Sequence, residues 1–250
     1  MKTIKDIDVT NKKVIVRVDY NVPIINGRIL DNNRIVASLE TINYLLSKNA
    51  KIILMSHLGK IKTKSDLEAN SLKPVRDELS ILLHKDIKFS STLKGKELDD
   101  LVNNLNPGDI LLLENTRYMD YPDKLESNCD IELSKYWASL GDVYILDAFA
   151  SSHRRHASTV GIPSYLPHAV GFLVERELQE LDEIKKENKT LLLGGAKVDD
   201  KLSLIEYLLP TSDKILLGGR MCATFIKSEG YEVGKTETND ALLDKCKELL

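Results

Sequence analysis

Four short apolar runs, each ending in polar side chains and separated by helical patterns, constrain this chain more than any other feature. Val14–Val18 runs into Asp19, Tyr20, Asn21, Val22 and Pro23, and Ile52–Met55 into Ser56 and His57. Ile110–Leu113 runs into Glu114, Asn115 and Arg117, and Val143–Leu146 into Asp147 and a loop carrying His153, Arg154, Arg155 and His156. Continuous apolar runs suit strands buried on both faces, and strands alternating with helices suit a parallel sheet. In an open α/β sheet ligands sit outside the carboxyl ends of the strands. The expectation is an α/β fold, a Rossmann-like parallel sheet with helices on both faces, whose four polar clusters converge on one cleft.

The intervening segments fit this arrangement. Ile35, Val36, Leu39, Ile42, Leu45 and Leu46 recur as one helix face, with Asn32 and Asn33 as capping candidates. Helices are also expected over Leu72–Leu83, Ile131–Leu140 and Leu202–Leu209, and a surface loop over 60–70. Pro163 and Pro167 precede GFLVERELQELDEI, 171–184, whose Phe172, Leu173, Leu178 and Leu181 fit a helix. A boundary is expected here: an N-terminal domain over 1–167, an interdomain helix or hinge over 168–188, and an incomplete second α/β domain over 189–250.

In that last part Leu191–Leu193 leads into GGAKVDDK, and Ile215–Leu217 into GGRMCATF. Paired glycines after a strand let backbone approach a ligand, and a following helix N-terminus favours phosphate; a tight turn would need the same glycines. Lys197 and Lys201, four residues apart, would share one side of a helical turn.

Charge restricts the ligand. Lys plus Arg total 35 against 38 Asp plus Glu, a net charge of −3, so no global field favours nucleic acid or a membrane, and any anion site must be local. Only nine of the basic residues are Arg, yet Arg17, Arg117 and Arg154 fall beside strand ends and Arg34 opens the first helix. Arg grips phosphate or carboxylate with a planar fork, whereas Lys acts as a point charge. Cys129, Cys222 and Cys246 are odd in number and show neither a CxxC pair nor zinc-like spacing, so neither a disulfide framework nor a metal ligand is assigned. With no apolar signal region and no run of roughly 18 apolar residues, the reading is a soluble cytoplasmic protein.

VRVDYNVP, the helix opening Asn33-Arg34-Ile35, SHLG, LLLENTRY, DAFASSHRRHAS, GFLVERELQEL, GGAKVDDK and GGRMCATF, in this order over essentially the whole chain, resemble the motif series of the phosphoglycerate kinase family. The resemblance implies a monomeric two-domain transferase of glycolysis, moving a phosphoryl group reversibly between 1,3-bisphosphoglycerate and ADP to give 3-phosphoglycerate and ATP. By motif match, Asp19, Asn21, Arg34, His57, Leu58, Gly59, Lys60, Arg117 and Arg154 would form the glycerate site, with Arg17 and His156 nearby. Lys197, Lys201, Gly195 and Gly219 would face the nucleotide. Arg34 and Lys197 are the catalytic candidates, because phosphoryl transfer needs fixed cations on the equatorial oxygens more than covalent help. Arg117 and Arg154 would anchor the other phosphate. Asp19 and Asn21 would orient the hydroxyl and carboxylate end, although Asp19 also suits a structural partner of arginines and His57 a packed loop residue.

Substrates on different domains imply closure that excludes water, with 171–184 part of the hinge. Mg2+ would travel with ADP or ATP, its protein ligand lying in segments the family carries downstream of these 250 residues. The chain departs from the family at Lys60 and Ile61, which follow SHLG in place of Arg-Pro, at Ala150 and Arg220 in place of glycines, and at Arg155 in place of a small residue. Family members run to roughly four hundred residues. The chain alone is therefore expected to be inactive, and the alternative function is a non-catalytic phosphoglycerate-binding or interaction protein.

Overall fold

The apolar runs become the inner strands of a six-stranded parallel sheet in a computed structural model that describes residues 1–184 and 189–250. The elements are β1 (Lys13–Val18), a hairpin of β2 (Ile24–Ile25) and β3 (Arg28–Ile29), α1 (Asn33–Ala37), α2 (Leu39–Ser47), β4 (Lys51–Met55), α3 (Ser65–Ala69), α4 (Lys73–Leu83), β5 (Lys88–Ser90), α5 (Lys96–Asn103), β6 (Ile110–Leu113), α6 (Ile131–Ser139), β7 (Val143–Asp147), β8 (His168–Val170) and α7 (Phe172–Ile184). The sheet order is β5-β6-β4-β1-β7-β8, with every neighbouring pair parallel.

Alternate residues of a strand face opposite sides of a sheet. Val14, Val16, Ile52 and Leu54 accordingly pack with Ile42 and Leu45 of α2 and Val75 and Leu79 of α4. Ile15, Ile53, Leu111 and Leu113 pack with Leu98 and Val102 of α5 and Trp137 of α6. Both faces are thus covered, as the unbroken apolar runs require.

Several local expectations need correction. The single helix expected from Ile35 to Leu46 is broken at Ser38. Its Oγ donates to Ile35 O (2.8 Å) and lies 2.9 Å from the Tyr20 hydroxyl, so the side chain competes with the helical ladder. Asn32 makes no capping bond; its Nδ2 donates to Glu78 Oε1, and Asp31 Oδ1 accepts the Asn33 N–H. The expected loop at 60–70 contains α3, where Asp66 Oδ2 accepts the N–H groups of Lys62 and Thr63. Residues 168–170, expected in the interdomain segment, form β8 and extend the sheet. The last four residues of that segment, 185–188, lie outside the described residues.

At the start of α7, Asp147 Oδ1 accepts the Leu173 N–H (3.0 Å) and Thr41 Oγ1 accepts the Phe172 N–H (3.0 Å). A Cβ on Gly171 would sit 2.3 Å from that Asp147 oxygen, so only glycine fits. Burial pushes the Asp147 carboxyl up to about 6.

The chain divides into two compact units, Met1–Glu177 and Leu178–Leu250. The second contains β9 (Lys189–Gly194), α8 (Asp199–Leu208), β10 (Ser212–Gly218), α9 (Cys222–Ser228) and α10 (Leu243–Leu249). β9 and β10 form a two-stranded parallel sheet, and its core gathers Val198, Leu202, Ile205, Met221, Phe225 and Cys246. Among the described residues no helix is long and apolar enough to cross a membrane.

Candidate functional site

β6, β4, β1 and β7 are neighbours in the sheet, so the polar clusters at their carboxyl ends come together. Asn115, after β6, ties three of the segments. Its Oδ1 accepts from Leu58 N (3.1 Å) and Arg117 N (3.0 Å), and its Nδ2 donates to Leu58 O (2.7 Å) and Asn70 O (2.9 Å). All four hydrogen-bonding positions of the amide are filled. Gly59 follows at φ +59°, with Asn70 Oδ1 2.2 Å from where a Cβ would be, and its N–H donates to Asn21 Oδ1 (2.9 Å). Lys60 is exposed.

Arg17 is wholly buried at the end of β1. Its Nε donates to Ser158 Oγ (2.9 Å), its Nη1 to Val18 O and its Nη2 to His57 Nδ1 (3.0 Å). Ser158 in turn donates from both N and Oγ to the buried Glu126 carboxylate. A buried guanidinium needs such a counter-ion, since an uncompensated charge away from water is costly.

Arg117 Nη1 donates to Asp120 Oδ2 and Ser127 Oγ, both at 3.0 Å. The Nε atoms of Arg117 and Arg154 are buried and have no hydrogen-bond partner. Burial, reinforced by Arg17, Arg117 and Arg154, pushes the His57 imidazole down to about 2. Burial with Arg117 and Arg17 pushes His156 down to about 4. The result is a dehydrated cationic cluster with unused donors, flanked by neutral histidines. Unsatisfied buried donors are rare in folded proteins, and an anion would satisfy these.

Asp19 Oδ2 accepts from Arg34 Nη1 at 2.5 Å, with the Asp19 side chain 7% exposed and that of Arg34 48%. Asp19 therefore orients an arginine, as one sequence reading allowed. Arg34 and Asp19 border a cleft of about 290 Å³ together with Phe149, Ala150 and Leu173. His153 and Arg155 are exposed.

The second unit has its own cleft, about 350 Å³, bordered by Lys197, Asp199, Arg220, Thr224 and Glu237. Lys197 precedes α8 while Lys201 lies on it, so the expected shared helix face is not formed, and Lys201 does not border the cleft. Arg220 Nη1 pairs with Glu237 at 3.5 Å. Gly219 has φ +72°, and a Cβ there would lie 2.8 Å from Gly195 O, which also accepts the Met221 N–H (3.0 Å). Gly219 is required by the approach of its backbone to that of Gly195, whereas a Cβ on Gly195 itself would meet only ordinary contacts. Among the described residues no group of three or more His, Cys, Asp or Glu could hold a metal ion.

Asp120, Glu126, Ser127 and Ser158 organise the arginines yet were not singled out in the sequence. The one available signal was Arg17 itself, because an arginine inside an apolar strand demands a partner elsewhere.

The family model described as Phosphoglycerate kinase matches residues 4–250. Phosphoglycerate kinases of Enterococcus faecalis and Fusobacterium nucleatum are 50% and 51% identical to the chain over its whole length. The solved phosphoglycerate kinase of Coxiella burnetii superposes with a TM-score of 0.86 at 33% identity, covering 99% of this chain and 62% of its own. That of Pyrococcus horikoshii superposes with 0.81 at 30% identity, covering 100% and 64%. The chain spans about 64% of the length of the curated relatives it matches. With the strand-end motifs on the sheet they imply, and a family match running from residue 4 to residue 250, the chain belongs to the phosphoglycerate kinase family.

Proposed function

We propose that the cationic cluster at the strand ends of Met1–Glu177 binds 3-phosphoglycerate and 1,3-bisphosphoglycerate, and that the protein serves the reversible phosphoryl transfer between 1,3-bisphosphoglycerate and ADP. The observation that carries this reading is the pair of buried, unpartnered Nε atoms on Arg117 and Arg154. Each can donate to a phosphate oxygen without first breaking a protein hydrogen bond, so the site is prepared for an anion.

In this reading Arg117 and Arg154 anchor the non-transferring phosphate, and His57 and His156 donate as neutral rings. Asp19 aims Arg34 along the neighbouring cleft, where its exposed fork can meet the transferring phosphoryl group. Asn21 fixes the Gly59 backbone and so shapes the Leu58–Lys60 loop beside the substrate. On the nucleotide side, Lys197, with Gly195 and Gly219 holding its loop, supplies a cation for the phosphates of ADP or ATP, and Lys201 adds positive charge at a distance. Magnesium would arrive with the nucleotide; the described residues offer it no cluster of ligands, and no step is assigned to it. The protein is read as a cytoplasmic monomer.

Calorimetric titration of 3-phosphoglycerate at low ionic strength tests the proposal. The wild type should release heat on binding. Each lost charge-assisted contact should weaken binding by about 1.5–3 kcal/mol, so the Arg117→Ala, Arg154→Ala double variant should bind at least about a hundredfold more weakly. Equal isotherms would remove these arginines from the site.

A further inference from the structure

Proton directions around Arg17 follow from valence. A guanidinium has donors and no acceptor. Ser158 Oγ must therefore accept from Arg17 Nε, and its own single proton goes to Glu126. By the same reasoning His57 Nδ1 accepts from Arg17 Nη2 at 3.0 Å. A neutral imidazole that accepts at Nδ1 carries its proton on Nε2. Burial pushes the Glu126 carboxyl up while Arg17 and the two Ser158 bonds oppose that shift; with the carboxylate ionised opposite Arg17, every bond from it to the histidine has one permitted direction.

The charged surroundings favour the same state. His57 is faced by Arg17 from β1, by Arg117 from the segment after β6, and by Arg154 and His156 from the loop after β7. Glu126 meets Arg17, Asp120 and Ser158, with His156 Nδ1 3.9 Å away. Tyr144 adds a restraint, its hydroxyl donating to Ser158 O at 2.7 Å. An apolar filling would pack this space at lower electrostatic cost than a buried ion pair. What the ion pair adds is orientation.

We propose that Glu126, acting through Ser158 and Arg17, is a positioning residue that holds His57 in its Nε2–H tautomer, so that the ring meets an anionic ligand as a fixed neutral donor. The inference rests on reading this cationic cluster as the phosphoglycerate site. Glu126 does not touch the ligand in this scheme. Its carboxylate orients the Ser158 proton, which leaves the Ser158 lone pair facing Arg17 Nε and so aims Nη2 at the histidine.

The tautomer is read directly by long-range proton–nitrogen correlation NMR on the full chain labelled at histidine. One of the five histidines, identified by its disappearance in His57→Gln, should show a protonated Nε2 and bare Nδ1 unchanged between pH 8 and pH 5. Glu126→Gln and Ser158→Ala should each give a tautomer average that titrates within this range, and 3-phosphoglycerate affinity at pH 7 should fall about tenfold. If Glu126→Gln fails to fold, Ser158→Ala decides, because it removes one oxygen and leaves both charges in place. A wild-type His57 protonated on Nδ1, or a folded Ser158→Ala variant with the wild-type tautomer, would overturn the proposal. The NMR readout needs no ligand. Absence of 3-phosphoglycerate binding by the wild type would strike the reading of the site instead, so the two failures are distinguishable.

Discussion

In the Met1–Glu177 sheet, β4 and β6 are buried at every position but the first residue of β4, whereas β9 alternates between half-buried and exposed residues. Leu192 on β9 is 78% exposed and Leu216 on β10 is 52% exposed, so one face of the smaller sheet presents leucines to solvent. The cations follow the same division. Arg17, Arg117 and Arg154 are buried or half-buried, and the first two are gripped by acidic or hydroxyl partners, while Lys197 and Arg220 are exposed. A charge can be aimed only where packing fixes its surroundings, because an exposed side chain keeps its rotamer freedom and is screened by water. Under the proposed function, the larger sheet would therefore give directional recognition of an anion. The smaller one offers attraction with less orientation.

Truncating a leucine in the larger sheet should have the largest effect. Leu54→Ala, at a wholly buried position between two helices, should cost about 2–5 kcal/mol in urea unfolding. Limited proteolysis should then show cleavage within 189–250 before cleavage within Met1–Glu177, because a two-stranded sheet with a bare face opens more easily. Simultaneous cutting of both would mean that the bare face does not weaken the second unit.

Acid should act next in size. His57 and His156 have folded-state values near 2 and 4, below the ordinary histidine value, so the unfolded chain binds protons that the folded chain refuses. Stability is therefore lost as pH falls below about 6.5, by roughly 1 kcal/mol per pH unit for each histidine. Asp147 works in the opposite direction: its raised value adds stability that is present in acid and lost as pH rises through about 6. His57→Gln should remove one of the two acid-sensitive contributions, visible as a shallower loss of urea midpoint between pH 6.5 and 5. An unchanged slope would show that His57 titrates normally. The smallest effect is expected for Leu192→Ala, within about 0.5 kcal/mol of wild type. A penalty approaching that of Leu54→Ala would mean the exposed face is covered.

Legibility followed the range of the interactions involved. The inner strands could be read because burial on both faces leaves a local signature, and the arginines at their ends because strand-end position is itself informative. β5 and β8, Lys88–Ser90 and His168–Val170, are too short to show a period. The β2–β3 hairpin did carry a signal in Asn26 and Gly27, both at positive φ, that the apolar pattern overshadowed. The break at Ser38 depends on Tyr20, and the pairing of Arg17 with Ser158 joins positions 141 residues apart. Glu126 sits in a polar loop without periodicity, so its burial becomes visible only when the strands have brought Ser158 and Arg17 beside it.

The Asn115 clamp has a consequence for how this protein can vary. One amide grips Leu58 on one side of the 59–69 segment and Asn70 on the other, so both exits of that excursion are set by a residue outside it. Its outer part, around Lys62–Lys64, is largely exposed. Length there is decoupled from the geometry of the cleft, since a longer loop closed at the same two points adds only a small entropy penalty. That makes the segment a natural insertion port: a tag, epitope or reporter peptide grafted between Lys62 and Lys64 would hang from a fixed frame.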